Sequence, residues 1–246
     1  MNQLRLWLQS HLPAFFPPPE TTVRVDIAGV ELTLRDWEGS NVLAIVPREI
    51  LDDDYRLTEI EFRPGDVVID IGANIGIVAI YLARKHPGIR IIAIEPVPTT
   101  FRHLQENINL NAVSNITALN CAVTKDGRDL RMIVNPGHSG GSTGHLRDLK
   151  QPGHYNLTVR SRTLDAIFDE YVPERCRLLK IDCEGAEYEI LSSARCLNRV
   201  DHLGIEIHHN DFLTSQGHTP EALLSEVSKA IPRERIAYTT TPMFDH

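Results

Sequence analysis

The chain has 246 residues, and its 33 acids outweigh 25 Lys and Arg to give a formal net charge of −8, a balance that argues against a general nucleic-acid binder. Hydrophobic residues make up 42%, enough for a large core, yet no apolar run reaches the length of roughly 18–20 residues that spans a bilayer. Four cysteines, Cys121, Cys176, Cys183 and Cys196, form neither a C-x-x-C pair nor a zinc spacing, so reduced thiols and a cytoplasmic setting are expected.

Met1–Glu20 scatters Leu4, Leu6, Trp7, Leu8 and Leu12 without a continuous signal-peptide core. It reads as a short docking helix closed by Pro17-Pro18-Pro19. Val23, Val25, Ile27 and then Val30, Leu32, Leu34 alternate around Ala28-Gly29, the pattern of a β-hairpin. A helix is expected near Arg48–Phe62, ending before the turn Arg63-Pro64-Gly65-Asp66. Residues 1–62 thus read as an extension packed on a core that runs from 63 to 246.

From there strands and helices alternate. Val67–Ile71 is the first strand of the core, Ile75–His86 a helix stopped by Pro87-Gly88, and Ile89–Glu95 the second strand. Pro98 opens a helix carrying Phe101, Leu104 and Ile108, and Ile116–Asn120 is the third strand. The stretch near 135–156 is too glycine-rich for a core element and reads as a loop insertion between strands at Leu130–Val134 and Leu157–Arg160. A helix at Leu164–Tyr171, a fourth strand at Arg177–Asp182, a helix at Ala186–Leu197 and a fifth strand at His202–Ile207 follow. Thr219 caps a helix over Pro220–Ala230, and Ile236–Thr241 is the last strand. The expected fold is α/β: one Rossmann-like domain, a mostly parallel sheet with helices on both faces, plus the N-terminal extension.

In such a sheet the ligand-facing loops gather outside the carboxyl ends of the strands. Here those ends are Asp70–Asn74, Glu95–Pro96, Asn120–Ala122, Asp182–Gly185 and Glu206–His209. The first is the most informative: a β-branched strand stops on Asp70, turns through Gly72-Ala73-Asn74-Ile75-Gly76 and passes directly into an apolar helix. Glu95 ends the second strand, where a ribose diol is usually gripped. A dinucleotide fold wants a glycine in the region that Asn74 occupies, because the pyrophosphate presses on the backbone there. Asparagine tolerates a left-handed turn but leaves less room for a diphosphate. S-adenosylmethionine carries no phosphate, and its ammonium could be drawn to Asp70 while backbone amides of the turn meet its carboxylate or ribose.

Asp70-Ile-Gly-Ala-Asn-Ile-Gly76, Glu95-Pro96, Thr163-Leu164-Asp165 and Leu179-Lys-Ile-Asp-Cys-Glu-Gly-Ala-Glu-Tyr-Glu-Ile-Leu191 together resemble the FkbM family of S-adenosylmethionine-dependent methyltransferases, over about Arg63 to His208. The resemblance implies O-methylation of a hydroxyl on a sugar, glycan or secondary metabolite. It implies that Asp70, Gly72, Ala73, Asn74 and Gly76 form the cofactor turn, that Glu95 holds the ribose, and that Asn120–Ala122 lies by the adenine. It also implies a final edge hairpin, for which the sequence offers the single strand Ile236–Thr241.

Methyl transfer needs an in-line oxygen, and a base or metal that takes the hydroxyl proton helps. Asp182, at the end of the fourth strand, is the first candidate, although that position also suits a helix cap. Glu184 is the second, as a base or as a carboxylate drawn to the next helix N-terminus. Lys180 reads as one half of a buried structural ion pair. Glu206 and His208 share a strand face if the strand continues that far. With Asp182 or Glu184 they could hold magnesium, manganese or iron, or His208 could act alone as a base, or simply be hydrogen-bonded. The rival functions are an NAD-dependent oxidoreductase and a cofactor-binding protein without turnover. The expected partner is a small-molecule or glycan acceptor; the oligomeric state is not legible.

Overall fold

The computed structural model describes residues 18–135, 139–140 and 155–243. The expected N-terminal docking helix, and His138, His145 and His154 of the glycine-rich loop, lie outside the described residues. The hairpin forms as expected: β1 (Glu20–Ile27) and β2 (Val30–Trp37) pair antiparallel around Ala28-Gly29. The next helix, α1 (Val42–Leu51), begins earlier than its expected span and stops where Asp52, Asp53 and Asp54 follow, with Asp53 in a left-handed conformation. Aspartate favours turns over helix interiors, so the three acids end the helix and only a short 3-10 turn, Leu57–Glu59, forms beyond them.

The core alternates β3 (Val67–Ile71), α2 (Ile77–Lys85), β4 (Arg90–Ile94), α3 (Pro98–Leu110) and β5 (Ile116–Leu119). Short β6 (Ala122–Val123), β7 (Leu130–Val134), β8 (Tyr155–Val159) and β9 (Ser161–Arg162) follow, then α4 (Leu164–Tyr171), β10 (Cys176–Ile181) and α5 (Glu187–Ser193). The chain continues through β11 (Val200–His209), α6 (Asp211–Ser215), α7 (Pro220–Val227) and β12 (Ile236–Pro242). The expected helix at Ala186–Leu197 is in fact α5 and a separate turn at Cys196–Arg199, and neither α6 nor the β6–β9 pairing is foreshadowed in the sequence pattern. Thr219 caps α7, its hydroxyl accepting from the Ala222 amide at 3.2 Å.

Six strands form one parallel sheet in the order β12-β11-β10-β3-β4-β5. The order reverses at β3, which has β10 on one side and β4 on the other. Crossovers leave β3 in opposite directions at that point, so a crevice opens above it. The final edge is a single strand, β12, parallel to β11 from Leu203↔Ile236 to His209↔Pro242.

Alternate residues of β3 feed two cores. Val67, Ile69 and Ile71 pack with α4, α5 and α7, while Val68 packs with α1, α2, Leu104 of α3 and the hairpin residues Ile27, Leu32 and Leu34. Every residue of α2 from Ile77 to Ala83 is buried, because the hairpin and α1 cover the face that solvent would otherwise take. The hairpin is fastened by two amides. Asn107 accepts from the Arg35 amide at 2.6 Å and donates to its carbonyl at 3.0 Å. Asn111, one turn further along α3, does the same to Thr33 at 2.9 and 2.7 Å. One helical turn on α3 matches two residues on β2, so a helix face serves the outer edge of a strand.

Candidate functional site

The strand tips are tied to one another in a staircase. Asp182 donates its amide to the Ile71 carbonyl, Gly72 and Ala73 donate to Ile94, and Glu95 donates to Leu119. Gly72 is required by contact as well as by its φ of +74°: a Cβ there would lie 1.7 Å from the Asp182 carbonyl oxygen. Gly76, at φ +90°, would place a Cβ 2.4 Å from Leu104, so it serves the packing of α2 on α3. Asn74 adopts the left-handed conformation at φ +52°, accepts from the Ile75 amide at 2.7 Å and donates to the Ser139 carbonyl at 3.0 Å.

These tips wall a cleft of about 710 Å³ that opens to solvent. Of the residues picked out from sequence, Gly72, Asn74, Glu95, Ala122, Asp182 and Glu184 line it. Cys121, within the expected Asn120–Ala122 segment, lines it too, and Leu130, Met132 and Val97 add an apolar wall that sequence reasoning did not anticipate. A second cavity of about 310 Å³ lies on the other side of Gly72, between the turn and α1, and includes Ala73, Glu49, Tyr55, Lys180 and Asp182.

Glu95 is nearly enclosed. One carboxylate oxygen accepts from the Val97 amide at 2.8 Å and the other from the Asn74 amide at 3.1 Å. Burial outweighs those bonds and pushes its carboxyl up to about 7. Each oxygen keeps a second lone pair for a hydroxyl in the cleft. Asn120 takes a different role from the expected one: its amide donates to the carbonyls of Glu95 and Pro96 at 2.8 and 3.1 Å, so it braces the loop that carries Glu95.

Asp70 also differs from expectation. It is 1% exposed and lies 3.3 Å from the Lys180 ammonium, which also stands 3.4 Å from Asp182. A ligand ammonium therefore has no direct path to Asp70. Burial raises the Asp70 carboxyl and the charge of Lys180 pulls it back, while Asp70, Tyr55 and Asp182 overcome burial to hold Lys180 well above the usual lysine range. The structural ion pair expected for Lys180 is present.

His208 lies on β11, which continues to His209, so Glu206 and His208 do share a face. The ring is 4% exposed and outside the lining of the cleft. Its Nδ1 bonds Glu187 at 3.0 Å, and its Nε2 stands 3.6 Å from Glu184 and 3.9 Å from Glu206. Burial lowers its pKa, but the bond and charge of Glu187, then Glu184 and Asp182, prevail and lift it to about 10. Without another cation in place, the surrounding carboxylates favour the imidazolium form, which weighs against His208 acting alone as a neutral base. Burial, then the charges of Glu187 and Asp182, push the Cys183 thiol well above its usual range. Glu49, unremarked in the sequence, is raised to about 7 by burial and by the charges of Glu206 and Asp182.

Residues 70–230 match the methyltransferase FkbM domain, more than half of the chain and including every tip just described. The chain belongs to the FkbM methyltransferase family. Methyltransferase sdnD of Sordaria araneosa is 31% identical over 172 residues, 58% of this chain and 66% of that protein. The 31-O-demethyl-FK506 methyltransferase FkbM of Streptomyces tacrolimicus is 30% identical over 194 residues, 67% of this chain and 74% of that protein. The chain spans about two thirds of the length of these relatives. Among solved structures, precorrin-6y C5,15-methyltransferase of Geobacter metallireducens aligns over 70% of this chain and 68% of that one, at 15% identity and a TM-score of 0.42. The FkbM match begins at Asp70, so Asp36, Glu49 and Tyr55 lie outside it. No described helix is long and apolar enough to cross a membrane.

Proposed function

We propose that this FkbM-family chain is an S-adenosylmethionine-dependent methyltransferase acting on a hydroxyl of a small molecule or glycan in a reducing cytosol. The observation that carries this reading is the pairing of the bare Gly72–Asn74 turn with Glu95 across the cleft. Glu95 meets the two ribose hydroxyls, Leu130, Met132 and Val97 take the base, and the turn meets the amino-acid tail. Asp182 and Glu184, which line the cleft just beyond β10, would then face the transferable methyl group.

Bound cofactor supplies an activated methyl group, and the protein orients it and excludes water. An acceptor hydroxyl held there would take the methyl group as its bond to sulfur breaks with the electron pair kept on sulfur, and the hydroxyl proton would leave to a carboxylate. Glu184 is the proton acceptor in this reading, since it lines the cleft while His208 does not and Asp182 is bound to Lys180. The relative from Streptomyces tacrolimicus, named for a 31-O-demethyl substrate, favours an oxygen acceptor on a small molecule. The Asn74 side chain, bonded to Ser139, argues against a diphosphate at the turn and so against NAD.

Calorimetric titration with S-adenosylmethionine and with NAD separates the two cofactors. Saturable binding of NAD alone overturns the proposal. Methyl transfer to a panel of glycans and small hydroxyl compounds then separates an enzyme from a binding protein, and cofactor binding without turnover on any of them favours the latter.

A further inference from the structure

Asp182, Glu206 and His208 each present one ligand atom, and the three atoms lie within 4.8 Å of one another. We propose that they form a site for a hard divalent cation of the magnesium or manganese kind, beside the cleft. The set mixes two carboxylates with one imidazole, on neighbouring parallel strands whose tips are held in register.

The imidazole is what separates this cluster from a mere accumulation of acids. Metal-binding histidines characteristically give one ring N–H to a carboxylate, which frees the other nitrogen to coordinate and fixes the ring. Glu187 serves that role here. It is fully buried, and the oxygen that meets His208 Nδ1 at 3.0 Å also accepts from the amides of Cys183 and Gly185 at 3.0 and 3.3 Å. A carboxylate so anchored cannot swing, and it aims Nε2 toward Glu184 and Glu206. Glu206 is held in turn by the Thr241 hydroxyl, which donates to it from β12.

Charge points the same way. Glu184 and Glu49 stand near the three ligands, and the cation Lys180 is already shared between Asp70 and Asp182. A divalent ion at this position would take over from the His208 proton in offsetting a concentration of negative charge that Lys180 shares only with Asp70 and Asp182. Asp182 borders both cavities while Glu206 and His208 line neither, so the ion would lie beside the cleft, with Asp182 linking it to an acceptor oxygen there. Where an acceptor hydroxyl reaches it, the ion would lower that hydroxyl's pKa, and Glu184 would take the proton. The site thus deepens the methyl-transfer reading and rests on it for its catalytic role, though not for its existence.

The test is a titration of chelator-stripped protein with Mn²⁺ alone, read by calorimetry and electron paramagnetic resonance, with S-adenosylmethionine binding measured separately. One saturable Mn²⁺ site is expected. Glu206→Gln and His208→Gln, each checked for an intact thermal transition, should weaken it at least about tenfold while leaving cofactor affinity within about twofold. Stripped enzyme should lose turnover and regain it with Mn²⁺. Absence of saturable binding, or wild-type Mn²⁺ affinity in both variants, overturns the site. Full turnover by the stripped enzyme overturns its catalytic role. Loss of cofactor binding in otherwise intact protein would instead overturn the methyltransferase reading, and the two failures are told apart in one experiment.

Discussion

Gly72 passes so close to Asp182 that a methyl group on its Cα would sit 1.7 Å from the Asp182 carbonyl oxygen. The first and fourth strands of the core therefore meet at their tips by backbone alone. Gly72→Ala must part them, and its φ of +74° adds strain. Together these should cost at least about 2 kcal/mol and abolish cofactor binding. Gly76→Ala, also at positive φ, meets the side chains of Leu104 and Ile80 rather than backbone, and should be milder in both respects. Denaturant unfolding and cofactor titration of the two variants check the ranking, and equal effects would contradict it.

Removing the charge of Lys180 should be costly because Asp70 is sealed in beside it. Lys180→Met leaves a buried carboxylate without its cation, a loss of about 3–5 kcal/mol. Adding Asp70→Asn should restore part of that stability, as measured by a double-mutant cycle. A second substitution that only adds to the damage would show that the pair is not coupled.

Cofactor affinity should rise with pH through about 7, the value to which burial lifts Glu95. A ribose hydroxyl donates to the ionised carboxyl, which at pH 6 is about one tenth of the population and at pH 8 about nine tenths. Affinity should therefore differ about tenfold across that range, and Glu95→Gln should flatten the profile. The stability effect has the opposite sign: because the folded pKa lies above the unfolded one, ionised Glu95 begins to cost stability as pH rises above the usual glutamate range, and the full cost is reached past 7. A pH-independent affinity in the wild-type protein would remove Glu95 from the ribose.

Ser139 ties the loop after β7 to the hairpin. Its hydroxyl donates to the buried Asp36 at 2.7 Å, lies 3.2 Å from the Ser40 hydroxyl, and its carbonyl receives the Asn74 amide. Ser139→Ala should leave Asp36 short of a donor and loosen a wall of the cleft. The expected loss of about 1 kcal/mol should show as roughly fivefold weaker cofactor binding and, because Asp36 is buried, as a small fall in melting temperature. Unchanged affinity would make this contact irrelevant to the cleft.

Much of the fold and part of the site are legible in the amino-acid sequence. The strand at Val67–Ile71 reads correctly because a parallel strand buried on both faces is an unbroken β-branched run, and its tip reads correctly because Gly, Asn and Asp have few other reasons to cluster there. The adjacency of Glu206 and His208 follows from strand period alone. What sequence does not disclose is which way a buried side chain faces. Asp70 turns to Lys180, Asn120 to the Glu95 loop, and His208 to Glu187, each choosing a partner remote in sequence or on another strand. Asp36 and Glu49 escape notice for the same reason, since nothing near them in the chain announces the Ser139 hydroxyl that meets Asp36 or the cavity that Glu49 lines. The bounds of α1 are lost to local chemistry: Pro47 sits within the helix, where a proline usually reads as its end or a kink.

The two asparagines of α3 bear on how this chain behaves in a crowded solution. Two-stranded ribbons carry a spare row of amides and carbonyls that can template another ribbon. Asn107 and Asn111 occupy part of that row on β2, mimicking a third strand with amide groups borrowed from a helix. Replacing both with leucine would strip that disguise, and the hairpin would become a place where copies of the protein stick together.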